Sequence, residues 1–120
     1  MWAMVRIVGG NDVRLEWFGD RSNLHRIWDS EMIDSKQLSF SELADFIDDE
    51  LDDSVIEVWQ STHWHDWAME SQSLLNQAYD LPENGPLSYE YMFKNYDTVQ
   101  LRLLQAGFRM AGVINDIYGN

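Results

Sequence analysis

Gly9-Gly10-Asn11-Asp12-Val13-Arg14-Leu15-Glu16-Trp17-Phe18-Gly19-Asp20-Arg21-Ser22-Asn23-Leu24-His25-Arg26-Ile27-Trp28-Asp29 passes from a turn to a strand to a helix, and the rest of the chain is read outward from it. Val13 to Trp17 alternates apolar and polar with period two, between turn-forming Gly9-Gly10-Asn11-Asp12 and Gly19-Asp20. This predicts a single strand or the second arm of a hairpin. Ser22 or Asn23 can then cap a helix of about eleven residues that carries Leu24, Ile27, Trp28 and Met32 on one face. A lone strand leaves ladder groups unpaired unless something upstream or another subunit pairs with them, and residues 1–8 are a thin candidate for that partner.

Downstream the pattern is helical. Ser39 and Glu42 have capping-box spacing, and Phe40, Leu43, Ala44, Ile47 and Leu51 recur on one face of a helix whose other face is acidic. Thr62 precedes a second stripe, Trp64, Trp67, Ala68, Ser71, Leu74, Leu75 and Ala78, which Leu81-Pro82-Glu83-Asn84-Gly85-Pro86 stops. A longer last helix is predicted from the capping pair Asp97 and Gln100. Its stripe is Val99, Leu103, Ala106, Met110, Ile114 and Ile117, and Gly119 is its C-cap. The fold class is therefore mainly α, a bundle-like layering of helices with a short strand or hairpin near the N-terminus, in one domain over residues 1–120.

Composition narrows the function. The chain has 21 acidic and 8 basic residues, a net charge of −13, no cysteine and 45% apolar side chains. Sixteen aromatic residues, six of them tryptophan, exclude a disordered acidic tail. Disulfide scaffolds and Cys-type zinc fingers are excluded as well. No apolar run approaches the roughly 18 residues of a membrane span, and Met1 to Arg6 is too short and too weakly apolar for a signal peptide. Residues 37–93 hold thirteen acids and no Lys or Arg, so this surface should repel nucleic acid backbone. A nucleic-acid function would need metal ions to supply positive charge.

His25 and Asp29 are four residues apart on the first helix and so share a face, at the edge of the apolar stripe where both should be partly buried. Imidazole and carboxylate are zinc ligands at about 2.0–2.2 Å. The same spacing also suits an ordinary ion pair or a half-buried hydrogen bond. His63 and His65 point about 200° apart on a helix and make no site. Asp48-Asp49-Glu50-Leu51-Asp52-Asp53 lacks the glycine and the alternation of a calcium loop and reads as a solvated helix face. Trp28, Trp64 and Trp67 fall on core stripes, Gly107 suggests close helix contact, and Arg109 beside it can pair with the acidic middle segment.

Four blocks, in order, resemble the nuclease S-one/P-one family of zinc-dependent, single-strand-specific nucleases. They are Gly9-Gly10-Asn11 with a strand ending Trp17-Phe18-Gly19, then Asn23-Leu24-His25 with Trp28-Asp29. Trp67-Ala68-Met69-Glu70-Ser71 follows, and last comes Ala106-Gly107-Phe108-Arg109-Met110-Ala111 with Ile114-Asn115. The resemblance implies a mostly helical fold similar to zinc-dependent phospholipase C, a cluster of three zinc ions, and metal-assisted hydrolysis of single-stranded DNA or RNA or of a nucleotide 3′-phosphate. It assigns His25 and Asp29 as ligands of one zinc, and it implies a secreted or periplasmic parent protein.

The departures define the expectation further. The family begins with a zinc-binding tryptophan and carries a His-rich segment upstream of Gly-Gly-Asn; here Trp2 follows Met1, and residues 1–8 hold neither His nor Asp. The chain looks like the C-terminal two-fifths of such an enzyme, with at most a partial zinc site and no nuclease activity alone. The alternative is a non-catalytic acidic helical module that binds a protein partner or self-associates. On the truncation reading a homo-oligomer is expected, through surface that the absent part would cover.

Overall fold

The computed structural model describes residues 10–48, 51–82 and 86–119, except the side chains of Phe40 and Phe46 to Asp48. The suggested strand partner at residues 1–8, Gly9, Asp49-Glu50 of the acidic run, and Glu83-Asn84-Gly85 of the helix stop lie outside the described residues. So do the side chains of Phe40 and Ile47 in the second stripe. The elements are β1 (Arg14–Trp17), β2 (Asp20–Asn23), α1 (Leu24–Arg26), a π turn (Ile27–Glu31), α2 (Met32–Asp34), α3 (Phe40–Asp48), α4 (Asp53–Ser61), α5 (Trp64–Ser73), α6 (Leu75–Ala78) and α7 (Tyr89–Tyr118). Among the described residues the fold is mainly α with one hairpin. Two compact units divide the chain, residues 1–37 with 73–99 and residues 38–72 with 100–120.

In the first unit the alternating stretch is the first arm of a hairpin, not the second. β1 and β2 are antiparallel with Arg14 opposite Asn23, Leu15 opposite Ser22, Glu16 opposite Arg21 and Trp17 opposite Asp20. The two-residue turn takes Phe18 at φ 50° and Gly19 at φ 87°. Such a turn matches the twist of the strands and demands positive φ at both positions. Glycine meets that demand without strain. Phe18 is held there by edge-on ring contacts to Trp17 and Tyr89, each with centroids 4.9 Å apart.

The far edge of β1 is paired from within the chain. Leu87 N–H donates to the Glu16 carbonyl at 2.7 Å and its carbonyl accepts from Phe18 N–H at 2.9 Å, a parallel bridge opposite Trp17. This pairing is far apart in sequence, so local pattern gave no sign of it. The bridge carries Leu87 into the core beside Trp17, Leu24, Ile27, Met32, Tyr91, Tyr96 and Val99. Fully buried Asn95 donates to the Tyr91 carbonyl and accepts from Gln77, both at 2.9 Å, which ties α6 to the start of α7.

The second unit contains α3, α4, α5 and the last part of α7. The capping box forms as read: Ser39 N–H donates to Glu42 at 2.9 Å, and Glu42 N–H donates to the Ser39 hydroxyl at 3.3 Å. The acidic run does not follow one helix face. Asp48 ends α3, and Asp52 caps α4 by accepting from Ser54 N–H at 2.8 Å. Arg109 is buried and joins α7 to α5 through both oxygens of Glu70, at 2.7 and 2.6 Å.

Several predicted faces are corrected. The last helix begins at Tyr89, so Asp97 and Gln100 are interior positions of a 30-residue helix. Met110, Ile114 and Ile117 are exposed, as is Trp64 at 75%. A Cβ on Gly107 would meet nothing within 4 Å; the close approach is at Gly112, where a Cβ would stand 3.1 Å from Gln60 Cγ. Among the described residues, no helix is long and apolar enough to cross a membrane.

Candidate metal site on the first helix

Asn23 ends β2 and starts the helix. Its extended backbone and side-chain oxygen, which accepts from Arg26 N–H at 2.8 Å, are those of an N-cap. Gly10, at φ 91°, lies over this cap: a Cβ there would stand 3.2 Å from both His25 N and Leu24 Cβ. The turn that precedes the strand is thus fitted against the backbone of His25.

The helix then widens. Ile27–Glu31 is π-helical, with Met32 N–H donating to the Ile27 carbonyl. Such single turns occur mostly inside α-helices and often at functional sites. His25 and Asp29 line one cavity of about 350 Å³ together with Leu24, Trp28, Leu75, Ala78 and Tyr79. Both side chains are exposed, not partly buried. The stripe is filled instead by Leu24, Ile27 and Met32, and this leaves the two polar side chains at the cavity mouth.

Sequence periodicity placed Leu24, Trp28, Leu75 and Ala78 on apolar stripes but missed Tyr79, which completes the cavity wall, and Tyr91, which ties the wall together. The Trp28 indole N–H donates to the Tyr91 hydroxyl at 2.8 Å, and that hydroxyl donates to the Ala78 carbonyl at 2.6 Å. One phenol therefore joins the helix that carries His25 and Asp29 to α6, which supplies Leu75 and Ala78. Burial pushes the Tyr91 phenol up to about 12, against the Trp28 hydrogen bond and with a smaller push from the Asp80 charge. It stays a neutral donor throughout the physiological range. A helix start read at Tyr89 would have been the signal, since Met92 N–H bonds back to the Ser88 carbonyl there. Tyr91→Phe should destabilise the chain by about 1–3 kcal/mol, because it leaves two half-buried groups without this partner. Urea unfolding checks this; an unchanged midpoint would show that the relay carries no stability.

Among the described residues no group of three or more His, Cys, Asp or Glu converges as a metal cluster, the His63–Asp66 segment included. Asp66 instead accepts from His63 N–H at 3.1 Å at the start of α5.

Comparison with known proteins gives a family model, S1/P1 Nuclease, that matches residues 3–119. The chain belongs to the S1/P1 nuclease family. Endonuclease 2 of Arabidopsis thaliana is 29% identical over 126 residues, and Endonuclease 5 of the same plant is 30% identical over 127. Each alignment covers 92% of this chain and 43% of the plant protein, so the chain spans less than half the length of these relatives.

Proposed function

We propose that this chain is the C-terminal part of a secreted or periplasmic zinc-dependent endonuclease and 3′-nucleotidase that hydrolyses single-stranded DNA or RNA. In this reading His25 and Asp29 supply two ligands to one zinc of a three-ion cluster. The observation that carries it is their placement on one cavity, on successive turns of a helix widened by a π turn. Imidazole nitrogen and carboxylate oxygen are a chemically suitable pair for zinc, but two donors are half of the usual four. The chain fits the ion as a half-site.

A bound zinc cluster supplies an activated water and positive charge for in-line displacement at phosphorus. The residues here do the positioning. His25 would bind as neutral imidazole and Asp29 as carboxylate. Asn23 fixes the helix start, and Trp28 and Tyr91 hold the helix against α6. With half a site, the isolated chain has no nuclease activity.

Zinc titration by calorimetry tests this. Either His25→Ala or Asp29→Ala should weaken binding at least about tenfold, since loss of even an outer partner of a metal ligand costs roughly 10–100-fold. Rejoining an upstream family segment should restore zinc-dependent cleavage that both variants lose. Zinc affinity in both variants equal to that of the unaltered chain would overturn the ligand assignment. Robust cleavage of single-stranded DNA by the 120-residue chain with zinc would refute its inactivity.

One observation favours a second role, self-association or protein binding. Met110, Val113, Ile114, Ile117 and Tyr118 of α7 are all exposed. Apolar surface of this extent commonly marks an interaction face. Sedimentation should show a homo-oligomer; a monodisperse monomer would remove the self-association.

A further inference from the structure

The largest cavity described in the first unit, about 840 Å³, is lined by Arg14, Arg21 and Arg26 in a chain whose net charge is −13. The hairpin register explains the gathering. Arg14 and Glu16 share one face of β1, and Asn23 and Arg21 stand opposite them on β2. Arg14 and Arg21 are therefore diagonal neighbours, with Cα atoms roughly 7–8 Å apart. Arg26, just past the Asn23 cap, adds the third guanidinium from the helix.

Among the described residues, the ion pairs use Arg26, Lys94, Arg102 and Arg109, while Arg14 and Arg21 enter none of them. Glu31 holds Arg26 by Nε at 3.3 Å and leaves the two terminal nitrogens of its fork for another acceptor. Of the lining residues only Glu16 is acidic. The rest of the lining is Ser22 and Asn23 together with an apolar wall of Leu15, Pro82 and Pro86.

We infer that this groove binds the phosphodiester backbone of a single nucleic acid strand. Guanidinium forks match phosphate oxygens two at a time. The apolar wall gives bases or sugars a surface that a bare carboxylate or inorganic anion would not use. Asn23 and Arg26 line the groove while His25 between them lines the cavity with Asp29, so one helix turn presents both sites. The positive charge that the acidic middle segment cannot supply is thus concentrated beside the proposed ligands. The inference rests on the nuclease reading for the identity of the strand; the binding itself requires no metal.

Fluorescence anisotropy with a short labelled single-stranded oligodeoxynucleotide, in EDTA and over a series of salt concentrations, tests it on the full chain. Arg14→Gln with Arg21→Gln should weaken binding about tenfold and lower the log–log salt slope by about 1.4, at roughly 0.7 per lost contact on a single strand. Both side chains are exposed on the hairpin, so the fold should survive. Arg14→Lys with Arg21→Lys should keep the salt slope and so separates charge from folding.

His25→Ala should leave oligonucleotide affinity unchanged while reducing zinc binding, so the two readings fail separately. Binding by the glutamine variant equal to that of the unaltered chain would overturn the inference, as would no binding by the unaltered chain. So would dimers that dissociate in the glutamine variant, since the groove would then hold an acidic segment of a second copy.

Discussion

Arg109→Ala should lower stability by about 2–3 kcal/mol, measured by urea unfolding at neutral pH. The side chain is 6% exposed and grips Glu70 with two nitrogens, at 2.7 and 2.6 Å. Its Nε donates to the Trp59 carbonyl at 3.2 Å, and its guanidinium lies 5.2 Å from the centre of the Trp67 ring. Alanine would remove the Arg109 hydrogen bonds to Glu70 and to the Trp59 carbonyl and open a space beside Trp67. Breaking a buried pair costs roughly 3–5 kcal/mol. Glu70 is 34% exposed and keeps Arg102 at 3.2 Å, so water and that second arginine absorb part of the loss.

The pair also predicts a pH dependence. The Arg109 hydrogen bond, against burial and with the Arg109 and Arg102 charges helping, holds the Glu70 carboxyl below its ordinary 4.5. A folded-state pKa below the unfolded one stabilises at pH values above the unfolded pKa, and the benefit disappears as pH falls through the folded value. Stability should therefore drop on acidification from about pH 5 downward. Arg109→Ala should flatten that slope. Parallel acid profiles for the two proteins would show that the pair does not link Glu70 protonation to folding.

This ion pair was half legible in the sequence. Arg109 was expected to reach the acidic middle segment, but nothing in the pattern selected Glu70 among thirteen acids. The features that could be read are those whose physics is local. Ser39 with Glu42 and Asn23 with Arg26 N–H are caps spanning three residues, and both form. The Val13–Trp17 alternation also gives a strand, because its two faces meet different surroundings.

What escaped depends on contacts distant in sequence. Leu87 reaches β1 across some seventy residues and completes the sheet edge that seemed to need another chain. The start of α7 at Tyr89 follows from Tyr91, Tyr96 and Val99 entering the first core, not from a capping signal at Asp97. Periodicity identifies a stripe without identifying what lies over it, so Val99 and Ile114 read alike although one is buried and the other exposed. The same limit applies at the candidate site. Spacing put His25 and Asp29 on one face, but the π turn between them and the Tyr91 phenol behind them come from packing.

Ile27→Ala is expected to cost about 3–4 kcal/mol and to loosen the His25–Asp29 pair. Ile27 is 0% exposed and packs in the core of the first unit with Trp17, Leu24, Met32 and Leu87. Truncation to alanine at such a site removes apolar burial and leaves a cavity that neighbours fill only in part, worth roughly 2–5 kcal/mol. Ile27 also begins the π turn, and its carbonyl accepts from Met32 N–H. A helix that slides to fill the space will move residues 25 and 29 by unequal amounts, since one precedes the turn and the other lies within it. Zinc affinity should fall in Ile27→Ala although neither proposed ligand has changed. Ile27→Val, which removes one methyl at a cost of about 0.5–1.5 kcal/mol, should keep most of it. Unfolding curves establish that both variants are folded under the titration conditions. Unaltered zinc binding by folded Ile27→Ala would mean that core packing does not set the separation of the two ligands, and the cavity on α1 would then be a surface feature independent of the core beneath it.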